Sequence, residues 1–100
     1  IALRALEIPE GSEIIISPVC SPGGIMPLAI QNYNFRVPDS GKLKYNITSE
    51  TFEKSITKKT RAAVLTHVGG IPIDINKIVK ICLKKNIKLI EDCSQAHGSL

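Results

Sequence analysis

Three residues near the end of this 100-residue chain stand at a spacing that chemistry can use: Asp92, Ser94 and Gln95, at i, i+2 and i+3 behind the mostly apolar run Ile87 to Ile90. A carboxylate fixed at the edge of a rigid strand suits a cation held in the adjoining crevice, such as a protonated pyridine nitrogen, a metal ion or an Arg. A small side chain two residues on can lie under a flat ring, and an amide one residue further can donate to a ring substituent. Together these describe a pocket for pyridoxal phosphate, in which the carboxylate keeps the pyridine nitrogen protonated and so maintains an electron sink. Asp92 would equally serve as an N-cap for whatever follows it.

The elements that must position this group are short. Ile1 to Leu6 reads as the tail of a helix closed by Pro9, Glu10 and Gly11, and Glu13 to Ser17 is a β-branched run ended by Pro18, a buried strand. Gly23 and Gly24 open a stretch, Ile25 to Asn32, whose apolar spacing suits a short helix with Pro27 in its first turn. Tyr33 to Val37 reads as a second strand, and Asp39 to Lys42 is turn chemistry. Thr48 or Ser49 offers an N-cap for a two-turn helix that carries Phe52 and Ile56 on one face. Ala62 to Thr66 has no polar alternation, as a strand covered on both faces reads. Asp74 can cap a helix with Ile75, Ile78, Val79 and Cys82 at i, i+3, i+4 and i+7, ended by Asn86 as a left-handed residue. Ile87 to Ile90 is then a fourth strand, stopped by Glu91 and Asp92.

Four buried strands separated by helical segments predict an α/β fold with a parallel sheet and right-handed crossovers. Ligands on such sheets bind outside the carboxyl ends of the strands. Those ends carry Pro18, Cys20, Ser21, Gly23 and Gly24 after the first strand, His67, Gly69 and Gly70 after the third, and Asp92, Ser94, Gln95 and His97 after the fourth.

Composition narrows the function classes. Forty-three per cent of the residues are hydrophobic and 22% charged, which excludes a disordered tail and a collagen-like repeat. Two Tyr, two Phe and no Trp leave no aromatic platform for bases, and the net charge of +4 comes from lysines spread along the chain, so no nucleic-acid partner is expected. Three Cys with no C-x-x-C pair argue against a disulfide scaffold or a zinc knuckle, and no apolar run approaches the 18 residues of a membrane span. A cytoplasmic, soluble protein with no resident metal is the expectation. The chain opens on Ile1 inside a helix and stops just past a polar cluster, so it reads as one partial domain over residues 1–100.

Leu89-Ile90-Glu91-Asp92-Cys93-Ser94-Gln95-Ala96-His97-Gly98 resembles the cofactor motif of the DegT/StrS-type nucleotide-sugar aminotransferases, a branch of the fold-type I pyridoxal phosphate enzymes. Further segments are similar in the same order: Ala5 to Glu13 resembles a helix end followed by a "GDEVI"-like strand entry, Ile56 to Ala62 an "IT..TKA" segment, and Thr66 to Ile75 a "VH.GG.P.DM" turn. The resemblance implies a three-layer sandwich forming the central part of the large domain, with pyridoxal 5'-phosphate as cofactor. It implies that Asp92 pairs with the pyridine nitrogen, Gln95 reaches the phenolic oxygen and Ser94 packs against the ring. His67 is expected either near the cofactor at the neighbouring strand end or as a hydrogen-bonded turn residue, with Glu91 and His97 structural.

The chain departs from the family pattern after the first strand, where Ser21 and Pro22 stand in place of a ring-stacking aromatic. All ten lysines precede Asp92, whereas the family's Schiff-base Lys lies well downstream, and its Gly-Thr phosphate turn lies upstream; no catalytic residue is therefore expected here and the isolated chain should not transaminate. The resemblance implies glutamate as amino donor, a nucleotide-linked keto-sugar as acceptor, a role in cell-surface polysaccharide or related sugar biosynthesis, and a homo-oligomer. Some relatives replace the Lys and dehydrate instead. Two other readings stand beside it: an inactive α/β fragment that only folds or associates, and a Cys20–His67–Asp92 nucleophilic set.

Overall fold

The computed structural model describes residues 2–20, 22–42, 46–71 and 73–98. Ile1, Ser21 and Pro72, each singled out in the sequence, lie outside the described residues. The elements run α1 (Ala2–Ala5), β1 (Glu13–Ile16), α2 (Pro22–Ile30), β2 (Asn34–Arg36), α3 (Ser49–Ser55), β3 (Thr60–Thr66), a 3₁₀ turn (Val68–Gly70), α4 (Ile75–Lys85) and β4 (Lys88–Asp92). The strands form one sheet in the order β2-β1-β3-β4, and every neighbouring pair is parallel.

Because successive side chains of a strand point to opposite faces, each apolar strand serves two cores. Ile15 of β1 with Ala63 and Leu65 of β3 packs against Phe52 of α3 and Ile78 and Cys82 of α4. Ile14 and Ile16 with Ala62 turn the other way, onto Leu3 of α1 and Leu28 of α2, with Val64 and Ile90 packed beside them. The result is the expected three layers, helices on both faces of a parallel sheet. No described helix is long and apolar enough to cross a membrane.

α3 starts where its cap chemistry says it should. Thr48, not Ser49, is the N-cap: its hydroxyl accepts from the Thr51 N–H at 3.2 Å while the Thr51 hydroxyl accepts from the Thr48 N–H at 3.0 Å. This reciprocal box satisfies two donors that the first turn leaves over. Thr48→Ala is expected to lower stability by about 1 kcal/mol, read as a shift of the urea midpoint at unchanged slope; an unchanged midpoint would mean that water replaces the cap.

Four details differ from the sequence expectation. β2 is shorter than Tyr33 to Val37 and, at the sheet edge, exposed rather than buried. α2 spans Pro22–Ile30, so Pro22 takes the first helical position, where a missing N–H costs nothing, and Pro27 lies in the interior. Asn32 at φ 59° follows the helix end. Asp74 occupies the N-cap position of α4 but makes no capping bond; its carboxylate lies 3.4 Å from the Lys77 ammonium. β4 is not stopped by Glu91 and Asp92 but runs through them, because its pairing with β3 continues to Thr66↔Asp92.

Candidate functional site

The strand order reverses direction between β1 and β3: from β1 the chain moves out to β2, and from β3 it moves the other way to β4. The crevice beyond the carboxyl ends of these two strands is where an open parallel sheet receives a ligand. Ser17, just past β1, bridges it by accepting the Thr66 N–H at 2.9 Å. Cys20 lies half-buried in the loop that follows, its thiol pushed up by burial and further by the Asp92 carboxylate.

Asp92 closes β4 opposite Thr66. Its Oδ1 accepts the Ser94 N–H at 3.0 Å. That backbone N–H first, then the Ser94 hydroxyl, hold the carboxyl below the usual carboxylate range against the opposing effect of burial, with lesser help from the Thr66 hydroxyl. The carboxylate is therefore an anion at neutral pH and presents that charge at the strand end. Ser94 and Gln95 form the exposed turn just beyond it. Gln95 Oε1 accepts the Gly69 N–H at 2.8 Å, and among the described residues its two amide N–H donors meet no partner.

His67 is brought to the same edge but to the other face. Ile73 N–H donates to its Nδ1 at 2.9 Å, so the ring proton sits on Nε2, which donates to Glu91 Oε1 at 2.6 Å. Glu91 shares a face with Leu89, on the α3 and α4 side, whereas Asp92 shares one with Ile90, on the α1 and α2 side. His67 has 4% of its surface exposed and both nitrogens engaged, the hydrogen-bonded turn position that was one of the two expected for it. His67 and Asp92 are joined through the backbone, where the His67 N–H donates to the Asp92 carbonyl at 3.2 Å.

The Val68–Gly70 turn packs directly on the Asp92 motif. Gly70 sits at φ 73°, and a Cβ there would meet the Gln95 carbonyl oxygen at 2.8 Å. Gly70→Ala should combine left-handed strain of about 1–2 kcal/mol with a backbone clash that displaces Gln95. A thermal melt should record the loss, and full stability in the variant would show that the two turns are not in contact.

A family model described as the DegT/DnrJ/EryC1/StrS aminotransferase family matches residues 1–100. The chain belongs to that family. GDP-perosamine synthase of Escherichia coli O157:H7 is 31% identical to it over 99 residues, covering 99% of this chain and 27% of that protein. The solved aminotransferase from Psychrobacter cryohalolentis superposes with a TM-score of 0.90 at 35% identity, over 97% of this chain and 25% of that one. A GDP-4-keto-6-deoxymannose-3-dehydratase solved with a trapped PLP-glutamate geminal diamine does so with a TM-score of 0.83 at 26% identity, over 91% of this chain and 24% of that one. The chain thus spans about a quarter of the length of these relatives.

In this member of the DegT/DnrJ/EryC1/StrS family, three residues at the site carry no signal that the sequence reading used. The Thr66 hydroxyl adds a small lowering of the Asp92 pKa, Ser17 ties β1 to β3, and buried Asn46 holds the Val68–Gly70 turn. His67 Nε2, Glu91 Oε1 and Cys93 Sγ lie within 4.8 Å of one another. The ring proton on Nε2 is the wrong tautomer for a metal bond there, since Nδ1 is already accepting from Ile73. The same engagement leaves His67 with no nitrogen for the Cys20 thiol, and that thiol is shifted away from the nucleophilic thiolate.

Proposed function

We propose that this chain forms the central part of the pyridoxal-phosphate-binding large domain of an aminotransferase that moves an amino group from glutamate to a keto carbon of a nucleotide-linked sugar. The observation that carries this reading is the Asp92 carboxylate held ionised by Ser94 beside a Gln95 amide whose oxygen is fixed on the Gly69 N–H. An anion and an amide donor three residues apart match the two edges of a protonated hydroxypyridine. Pyridoxal phosphate, when bound, supplies the electron sink that makes a substrate C–H bond acidic.

The residues of this chain bind and orient. Asp92 would keep the pyridine nitrogen of the cofactor protonated, Gln95 would donate to its phenolic oxygen, and Ser94, small and fixed through its N–H, would pack against the ring. His67 acts at one remove, tying Glu91 on β4 to the backbone at Ile73. The sugar and donor classes are supported by relatives: one is a GDP-perosamine synthase, and another was trapped with glutamate on its cofactor. The exposed edge strand β2 fits a sheet that other parts of the domain continue, and a homo-oligomer is part of the same proposal.

The test is spectroscopic. The complete protein, supplied with pyridoxal phosphate, should gain visible cofactor absorbance that changes when glutamate is added without an acceptor. A protein that takes up no cofactor and shows no change with glutamate would overturn the proposal.

A further inference from the structure

We infer that Asn46 is a positioning residue for Gln95, acting through the Val68–Gly70 turn. The inference deepens the cofactor reading above and rests on it. Asn46 lies between β2 and α3, more than twenty residues before the turn, and is 7% exposed. Its side chain is spent on that turn. Oδ1 accepts the Val68 N–H at 3.1 Å, while Nδ2 donates to the Ile71 carbonyl at 3.0 Å and to the Val68 carbonyl at 3.4 Å. Both ends of the amide are therefore fixed in sense, because an N–H must meet an oxygen. Its own carbonyl accepts the Gly41 N–H at 3.1 Å, which anchors the clamp from behind.

The turn needs such a clamp. Gly69 and Gly70 stand at φ 68° and 73°, and two consecutive glycines have many conformations available without one. Clamped, the turn aims the Gly69 N–H at Gln95 Oε1. Gln95 is exposed, and a free glutamine side chain samples several rotamers and both amide orientations. The Gly69 N–H removes that freedom: the amide oxygen must face the turn, so the amide nitrogen must face the ligand. The sequence of contacts runs Asn46, Val68 and Ile71, Gly69, Gln95.

The experiment is a double-mutant cycle in the complete protein, reading the dissociation constant of pyridoxal phosphate for the wild type, Asn46→Asp, Gln95→Ala and the double variant. Asn46→Asp keeps the acceptor and replaces the donor by an oxygen that repels the Ile71 carbonyl. Each single variant should weaken binding about tenfold, the equivalent of one hydrogen bond to a charged acceptor. The double variant should be no weaker than Gln95→Ala, since both remove the same bond. Effects that multiply would overturn the inference, because Asn46 would then act by some other route.

A second readout needs no cofactor: in the apoprotein, Asn46→Asp should speed hydrogen exchange of the Gly69 amide at least about tenfold while Ala63 and Leu65 in β3 keep their rates. Unchanged exchange at Gly69 would overturn the inference by itself. If Gln95→Ala binds the cofactor normally while Gly69 exchange still responds to Asn46, the clamp stands and the cofactor role of Gln95 fails. Asn46→Ser, which removes both amide groups without adding charge, gives the same two readouts where Asn46→Asp proves too unstable.

Discussion

Asp92→Asn is expected to lower kcat/KM of the complete enzyme by at least about a hundredfold, the cost of removing one preorganised electrostatic partner, with the fold intact. The amide keeps an oxygen to accept the Ser94 N–H, so the turn and the β4 pairing should survive and the melting temperature should hardly move. What it loses is the negative charge that holds a proton on a pyridine nitrogen. The sign of the pH dependence follows from the shift. The carboxyl is held below its ordinary value of 3.8, so its charge-dependent contribution is complete above that pH and is lost only as pH falls through the lower folded value. Between pH 5 and 9 the ratio of wild-type to variant activity should therefore carry no titration of Asp92. A ratio that swings through neutrality would place another group in that role.

Phe52→Ala is expected to cost about 3–5 kcal/mol, the largest stability loss of any substitution considered. Phe52 is fully buried and sits where α3 meets α4 over Ile15, Leu65 and Ile78. Its ring fills the layer between the helices and the sheet. Ile47 belongs to the same cluster and adjoins Asn46, so the loss should loosen the clamp on the Val68–Gly70 turn as well. Urea unfolding of the complete protein, with and without cofactor, measures it; a loss under about 1 kcal/mol would mean that the site collapses on the cavity.

The fold was readable where periodicity is strong. β1 and β3 are continuous apolar runs because both faces are covered, and α4 repeats its apolar positions every three to four residues. α2 was harder, because two prolines and two glycines give competing start signals, and the helix begins at Pro22 rather than after the glycines. At the site, the position of Asp92 at a strand end with Ser94 and Gln95 just beyond it was legible because these residues are adjacent in the chain. The placement of His67 was not, since it depends on register: β3 pairs Thr66 with Asp92, so His67 is one residue out of step and falls on the opposite face. A one-residue offset is invisible without the partner strand. Asn46 was illegible for a related reason. Its three bonds are to backbone atoms more than twenty residues away, and backbone partners leave no mark on side-chain type.

The most direct test of the central claim, that Asp92 keeps a pyridine nitrogen protonated, is nitrogen NMR of the complete protein loaded with pyridoxal phosphate labelled with ¹⁵N in its ring. In the wild type near neutral pH the resonance should be that of a protonated pyridinium, and in Asp92→Asn that of a neutral pyridine. A neutral ring nitrogen in the wild type, or the same protonated signal in both proteins, would contradict the account.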